Sequence, residues 1–296
     1  MAAAVLAHRE EAPEAENKFR PAAAASATHD SPAAIATVRE WIDERGGDGW
    51  SAEERSWARG AAPRFLRAHR GELDSAKAGI GRTVEWRRTG IKPDSWAGRY
   101  SEENHKFCFI PLGLDLFRRP VVYGCPARAS CSDVDSTIDH VVMDLEYAFA
   151  NEFAPDPEER CAGQWVWIVD FHGFGLAHAT NPSLGRRFVS VFDQHCPERL
   201  GCLVLLDPPF VFSMLLGALR PFLDPATAQK IVTVSSSDTE AELRAVLPED
   251  MLGWVLEALR REPSPGSLPF PLPSSAYWSH PAEDASESSE KLPVAE

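Results

Sequence analysis

From about residue 105 to residue 261, short apolar runs alternate with longer segments whose apolar residues recur every three to four positions. This alternation is the feature that most constrains the fold. Phe107 to Ile110, Pro120 to Cys125, Gln164 to Asp170, Cys202 to Leu206 and Ile231 to Val234 have the length and composition of buried strands. Between them, Val134, Ile138, Val141, Leu145 and Phe149 form one helical stripe. Leu184, Phe188, Val191 and His195 form another, with Asn181 as N-cap and Pro182 at the first helical position. A last helix is expected from Pro248 to Arg261. Strands separated by helices cannot be joined as hairpins, so the expected class is α/β, a mostly parallel sheet covered by helices.

The segment before this region reads as helical. Ile35, Val38, Trp41 and Ile42 have helix spacing, ended by Gly46-Gly47, and Leu73, Ala76, Ile80 and Val84 mark a second helix closing near Gly90 and Pro93. Arg64 to Ala68 suggests a short helix with a basic edge, whose Arg64, Arg67 and His69 are expected at the surface. Residues 1–32, rich in Ala, Glu and Pro without an apolar face, read as a disordered leader. The expected organisation is this leader, a helical region over 33–95, an α/β region over 96–262, and a disordered Pro- and Ser-rich acidic tail over 263–296.

The composition narrows function. A formal net charge of −14 over 296 residues argues against nucleic acid and against purely electrostatic docking on anionic membranes. The six cysteines have no metal-ligand spacing and read as reduced thiols. No apolar run reaches the ~20 residues that span a bilayer. The N-terminus lacks the basic and apolar regions of a signal peptide, and its glutamates argue against a transit peptide. A cytoplasmic location is expected.

Glu198 and Lys230 bracket a nearly uncharged segment, Leu203 to Leu223, broken only by Asp207 and Arg220. A carboxylate accepts from hydroxyls and an ammonium donates to phosphate, while Pro209 to Leu219, apolar around its circumference, must be buried or face lipid. Together they suit a ligand with a polar head and an oily body. Thr227 adds a hydroxyl one turn before Lys230. Trp165 and Trp167 share one strand face, as core filling or as the floor of an apolar pocket. Asp170 and His172 invite a catalytic reading, yet there is no GxSxG, HExxH or P-loop, and Gly173 to His178 breaks the GxGxxG pattern. No enzyme is expected; an esterase-like reading lacks a nucleophile.

In this order the motifs resemble the CRAL-TRIO lipid-binding family, which includes phosphatidylinositol-transfer proteins. The resemblance rests on Arg64-Phe65-Leu66-Arg67-Ala68-His69-Arg70 followed by Trp86-Arg87, on Val169 to Phe174, on Pro197 to Gly201, and on Pro221 to Pro225 with Lys230-Ile231. It covers residues 35–260. It implies a hydrophobic cavity floored by the sheet and a mobile gate helix over about 208–227, so that Trp165, Trp167, Phe210, Phe212, Met214, Leu215, Leu216 and Phe222 would line cavity and gate. It further implies a head group held by Glu198, Thr227 and Lys230, with an arginine whose position falls on His69, next to Arg70. Members that also bind phosphatidylcholine carry small hydroxyl residues where Trp165 and Trp167 stand here, and the family's Leu-Pro and Gly-Gly ending is replaced by Met251-Leu252-Gly253-Trp254. The expected function is binding and transfer of phosphatidylinositol and a second hydrophobic ligand. The rival is a regulatory module that presents lipid without net transfer. Neither cofactor nor metal is implied; a monomer in transient membrane contact, docking through Phe210, Phe212, Met214 and Leu215, is expected.

Overall fold

The computed structural model describes residues 18, 19, 29–90, 106–131, 133–149, 152, 160–175, 182–219, 225–269 and 273. Helices α1 (Pro32–Glu44), α2 (Ala52–Ala68) and α3 (Leu73–Gly90) form an N-terminal layer. Ser31 caps α1 by accepting the Ala34 N–H at 3.2 Å, and Ser51 with Glu54 forms a reciprocal capping box on α2. Arg64 to Ala68 is not a separate short helix but the last part of α2, which runs through Pro63. A proline there cannot donate to the Arg59 carbonyl, and Arg39 Nε donates to it instead at 3.3 Å. Small Ala58, Ala61 and Ala62 let α2 pack against Val38, Ile42, Ile80 and Val84.

The sheet has five strands in chain order: β1 (Phe109–Leu114), β2 (Pro120–Gly124), β3 (Trp165–Asp170), β4 (Leu200–Leu206) and β5 (Ile231–Val234). β1 pairs antiparallel with β2, and the remaining pairs are parallel. β1 starts later than its apolar run, because Lys106 and Phe107 are helical and Cys108 turns the chain with φ 46°. One face carries Val121, Tyr123, Val166, Ile168, Val204 and Leu206, packed with residues of α8 (Thr239–Arg244) and α9 (Glu249–Arg260). Alternate residues on the other face, including Val122, Trp165, Trp167, Val169 and Leu205, are covered by α4 (Val134–Ala148), α5 (Pro182–His195) and α6 (Phe210–Leu219). A short α7 (Pro225–Gln229) leads into β5.

The structure corrects the expected ends. Phe19, inside the segment read as a disordered leader, is 2% exposed in the core cluster of the sheet, and Lys18 pairs with Glu242 at 2.7 Å. Asp30 binds Arg67 at 2.6 Å. Residues 263–269, read as tail, form a strap across the end of β3. Buried Arg128 donates to the carbonyls of Ala258, Arg261 and Glu262 and to the Ser267 hydroxyl. Trp254 Nε1 donates to the Pro269 carbonyl at 3.0 Å, and Leu268 is buried. Gly173, with φ 74°, is required beneath the strap, since a Cβ there would lie 2.4 Å from Pro263 Cγ. An Arg guanidinium has enough donors to satisfy several carbonyls at once, and that anchors the chain just beyond α9.

Candidate functional site

The turn Pro197-Glu198-Arg199 joins α5 to β4. Its middle residue takes φ 61°, a left-handed conformation uncommon for residues with a Cβ. Gln164 Nε2 donates to the Glu198 carbonyl at 3.4 Å, and Trp165 N–H donates to the Arg199 carbonyl at 2.9 Å. The Glu198 side chain thus projects toward Lys230, at 3.9 Å between carboxylate oxygen and Nζ. Parallel pairing of β4 and β5 achieves this: Leu203 N–H donates to the Lys230 carbonyl at 2.8 Å, and Lys230 N–H to the Thr227 carbonyl at 3.1 Å. Glu198 and Lys230 are 32% and 21% exposed. So loose and wet a pair contributes little to stability, which leaves both groups available to a ligand.

His69, the position expected to match the family's head-group arginine, lies apart from the Glu198 turn. His69 caps the C-terminal end of α2, stacks on Phe65 with ring centroids 6.5 Å apart and crowds Gly79. Burial, then Arg82, holds its pKa below the usual value. No contact among the described residues joins His69 to Glu198, Thr227 or Lys230. The α2 residue that reaches the turn is Arg64, whose Nη1 donates to the Pro197 carbonyl at 3.4 Å. Arg64 is 6% exposed rather than at the surface, and burial followed by the neighbouring Arg199 lowers its pKa to about 9. Arg199 is also buried, bound to Glu152 at 2.7 Å and to the Gly163 carbonyl at 3.0 Å, with its guanidinium 3.9 Å from the Phe149 ring centroid. The signal for Arg64 was present: it follows Ala61 by three and precedes Phe65, on the buried face of α2.

Trp165 and Trp167 stack at 5.4 Å on the helix-covered sheet face. Phe109 lies 5.4 Å from Trp167, Phe188 lies 5.5 Å from it, and Phe192 lies 6.0 Å from Trp165. Gly124 leaves room for this slab: a Cβ there would be 3.1 Å from Trp167 Nε1. Neither indole N–H has an acceptor among the described residues. Toward the end of β3 the aromatic surface continues onto α6, where Phe212 meets Phe171 at 4.3 Å and Leu216 packs with Val169 and Leu205. Phe210 and Met214 point outward, 79% and 63% exposed. Phe212 therefore belongs to the inner side of α6, not to an outer docking surface. The Leu215 side chain and Phe222 lie outside the described residues.

The Asp170 carboxylate of the remaining polar motif is hydrogen-bonded within the fold. Tyr123 donates to Asp170 at 2.5 Å and the His172 N–H donates to its other oxygen at 2.8 Å. Burial, then the Asp170 charge, pushes the Tyr123 phenol well up. Among the described residues no group of three or more His, Cys, Asp or Glu could hold a metal, and no helix is long and apolar enough to cross a membrane.

The N-terminal layer docks on α4 and α5. Arg87 binds Glu146 bidentately at 2.5 and 2.7 Å. Trp86 lies flat on His195 with ring centroids 4.2 Å apart, and the Thr83 hydroxyl is 3.1 Å from His195 Nδ1.

Comparison with known proteins agrees with this architecture. The CRAL/TRIO domain model matches residues 104–253, and the chain belongs to that family. A CRAL-TRIO domain-containing protein of Schizosaccharomyces pombe is 28% identical over 232 residues, covering 76% of this chain and 20% of that protein. The phosphatidylinositol transfer protein PDR17 of Saccharomyces cerevisiae is 30% identical over 192 residues, covering 60% of this chain and 53% of that protein. The match therefore spans only part of either relative. The SEC14 cytosolic factor of Kluyveromyces lactis is 32% identical, covering 64% of this chain and 67% of that protein. The crystal structure of Sfh5 shares the fold, with a TM-score of 0.55 at 14% identity over 72% of this chain and 84% of that one.

The docking contact at His195 has a pH signature. Burial first, with Arg82 and Arg187 adding to it, lowers its pKa from 6.5 to about 4. Between those values the unfolded chain binds the proton and the folded chain does not, so stability falls as pH drops from 6.5 toward 4. His195→Phe keeps an aromatic stack on Trp86 and removes the titration. Urea unfolding midpoints at pH 7 and pH 5 should differ less in the variant than in the parent; an equal difference would refute the assignment.

Proposed function

We propose that this chain is a non-enzymatic lipid carrier that binds phosphatidylinositol and a second, more apolar ligand and exchanges them while docked on a membrane. The observation that carries the reading is the approach of Glu198 and Lys230 to 3.9 Å, with Thr227 one turn away, beside a sheet face floored by aromatic rings. An inositol phosphate offers what this arrangement can bind: hydroxyls for the carboxylate and a phosphate for the ammonium. The relatives named as phosphatidylinositol transfer proteins support the same ligand. The chain would act as a monomer in the cytoplasm, without a cofactor.

Release through water is excluded by magnitude. About 30 acyl methylenes at about 0.8 kcal/mol each would cost on the order of 20 kcal/mol to expose. Exchange must then take place against a bilayer, and the outward Phe210 and Met214, one helical turn apart, form the apolar surface suited to it. With a net charge of −14, charge attraction is a poor alternative.

These points set three measurements. Lys230→Ala should lower phosphatidylinositol loading about 10- to 100-fold, the worth of a charge-assisted hydrogen bond, with the unfolding midpoint unchanged. Undiminished loading would sink the head-group site. Because Trp165 and Trp167 fill the face, phosphatidylcholine should be a poor ligand, and Trp165→Ser with Trp167→Thr should admit it; mass spectrometry of co-purified lipids reads both, and abundant phosphatidylcholine in the parent protein would contradict the reading. Phe210→Asp with Met214→Asp should slow transfer between liposomes severely while added salt changes it little. Transfer that survives the substitutions but collapses in salt would assign docking to a basic surface instead. Lipid loading without any transfer would favour a lipid-presenting module.

A further inference from the structure

We propose that Arg64 is a positioning residue for Glu198, through which the N-terminal helical layer sets the geometry of the head-group site. The proposal rests on the reading of Glu198 as a lipid ligand. Its starting point is the conformation of Glu198 itself. A non-glycine residue at φ 61° keeps that conformation only where its surroundings impose it. On the sheet side they do: Arg199 is anchored by Glu152, the Gly163 carbonyl and the Phe149 ring, and its own carbonyl accepts from Trp165. The other flank of the turn, the Pro197 carbonyl, is held by the guanidinium of Arg64, which comes from α2.

Arg64 is an expensive way to hold one carbonyl. Its side chain is almost wholly buried, its Nε has no partner among the described residues, and the charge facing it most strongly is that of another cation, Arg199. Burying a guanidinium without its own carboxylate opposes folding. A long apolar side chain would fill the same space without that cost. The retained feature is therefore directional: a fixed planar donor on the Pro197 carbonyl, one residue before the carboxylate that faces Lys230. Loss of that donor leaves the turn free to relax from its left-handed conformation, which turns the Glu198 side chain away from Lys230.

The test is a double-mutant cycle of Arg64→Met and Glu198→Ala, read as phosphatidylinositol extracted from phosphatidylcholine vesicles doped with phosphatidylinositol, beside urea unfolding of each variant. Arg64→Met should keep or raise the unfolding midpoint, because it removes a buried unpaired charge at similar volume. It should nonetheless lower phosphatidylinositol binding about tenfold, and Arg64→Lys should recover part of the loss. In the Glu198→Ala background, Arg64→Met should cost nothing further. If Glu198→Ala weakens binding and Arg64→Met does not, or if the two losses simply add, the positioning role is overturned while the head-group site stands. If Glu198→Ala itself has no effect, the site reading falls and the proposal falls with it. Should Arg64→Met fail to fold, Arg64→Lys carries the same cycle, since it keeps the charge and loses only the planar fork.

Discussion

Parallel pairing is the constraint on which the rest of this structure depends. β2 to β5 run side by side in one direction, so each connection must cross the sheet and each face must be covered. The two faces meet that requirement differently. Beneath, α8 and α9 close over Val166, Ile168 and Val204, and the strap at 263–269 finishes the seal. Above, the sheet is surfaced with rings of Trp165, Trp167 and Phe109 under α4, α5 and α6. One face is a closed, mixed aliphatic and aromatic core. The other is broad, aromatic and ends at a helix whose outer side is still oily.

The same parallel pairing brings the charged groups together. Glu198 precedes β4 and Lys230 precedes β5, so both stand at the same end of neighbouring strands. Their separation in sequence becomes 3.9 Å in space because Leu203 is paired with Ile231. The apolar segment between them is the excursion that covers the upper face. The charged pair at the rim and the oily surface beside it are thus consequences of one crossover, and the N-terminal layer reaches this rim through Arg64 and the Trp86–His195 stack.

Much of this was legible before any coordinates. The strand runs, the helical stripes and the pair of charges each carry a local signal: alternation, periodicity and capping chemistry act over a few residues and do not require the rest of the fold. The errors were equally physical. Arg64 to Ala68 reads as a short helix of its own, but it is the end of α2, which runs through Pro63 while Arg39 donates to the Arg59 carbonyl that the proline cannot reach. Phe19 and the strap lie in polar, proline-rich sequence whose order comes from single anchors, a buried ring and the Arg128 fork, which no window average reveals.

The sequence by itself determined the class of fold, the runs that become strands and the charged pair that brackets the apolar segment, because these depend on side-chain chemistry and local spacing. Tertiary structure decided which arginine touches the Glu198 turn, which side of α6 Phe212 faces and where His69 goes. Each of those is a question of orientation around a helix or across a sheet. A basic residue at one position of α2 is a solvated charge or a buried clamp according to what packs on that face, and only the docked neighbour, here the Pro197 carbonyl of a distant turn, settles it.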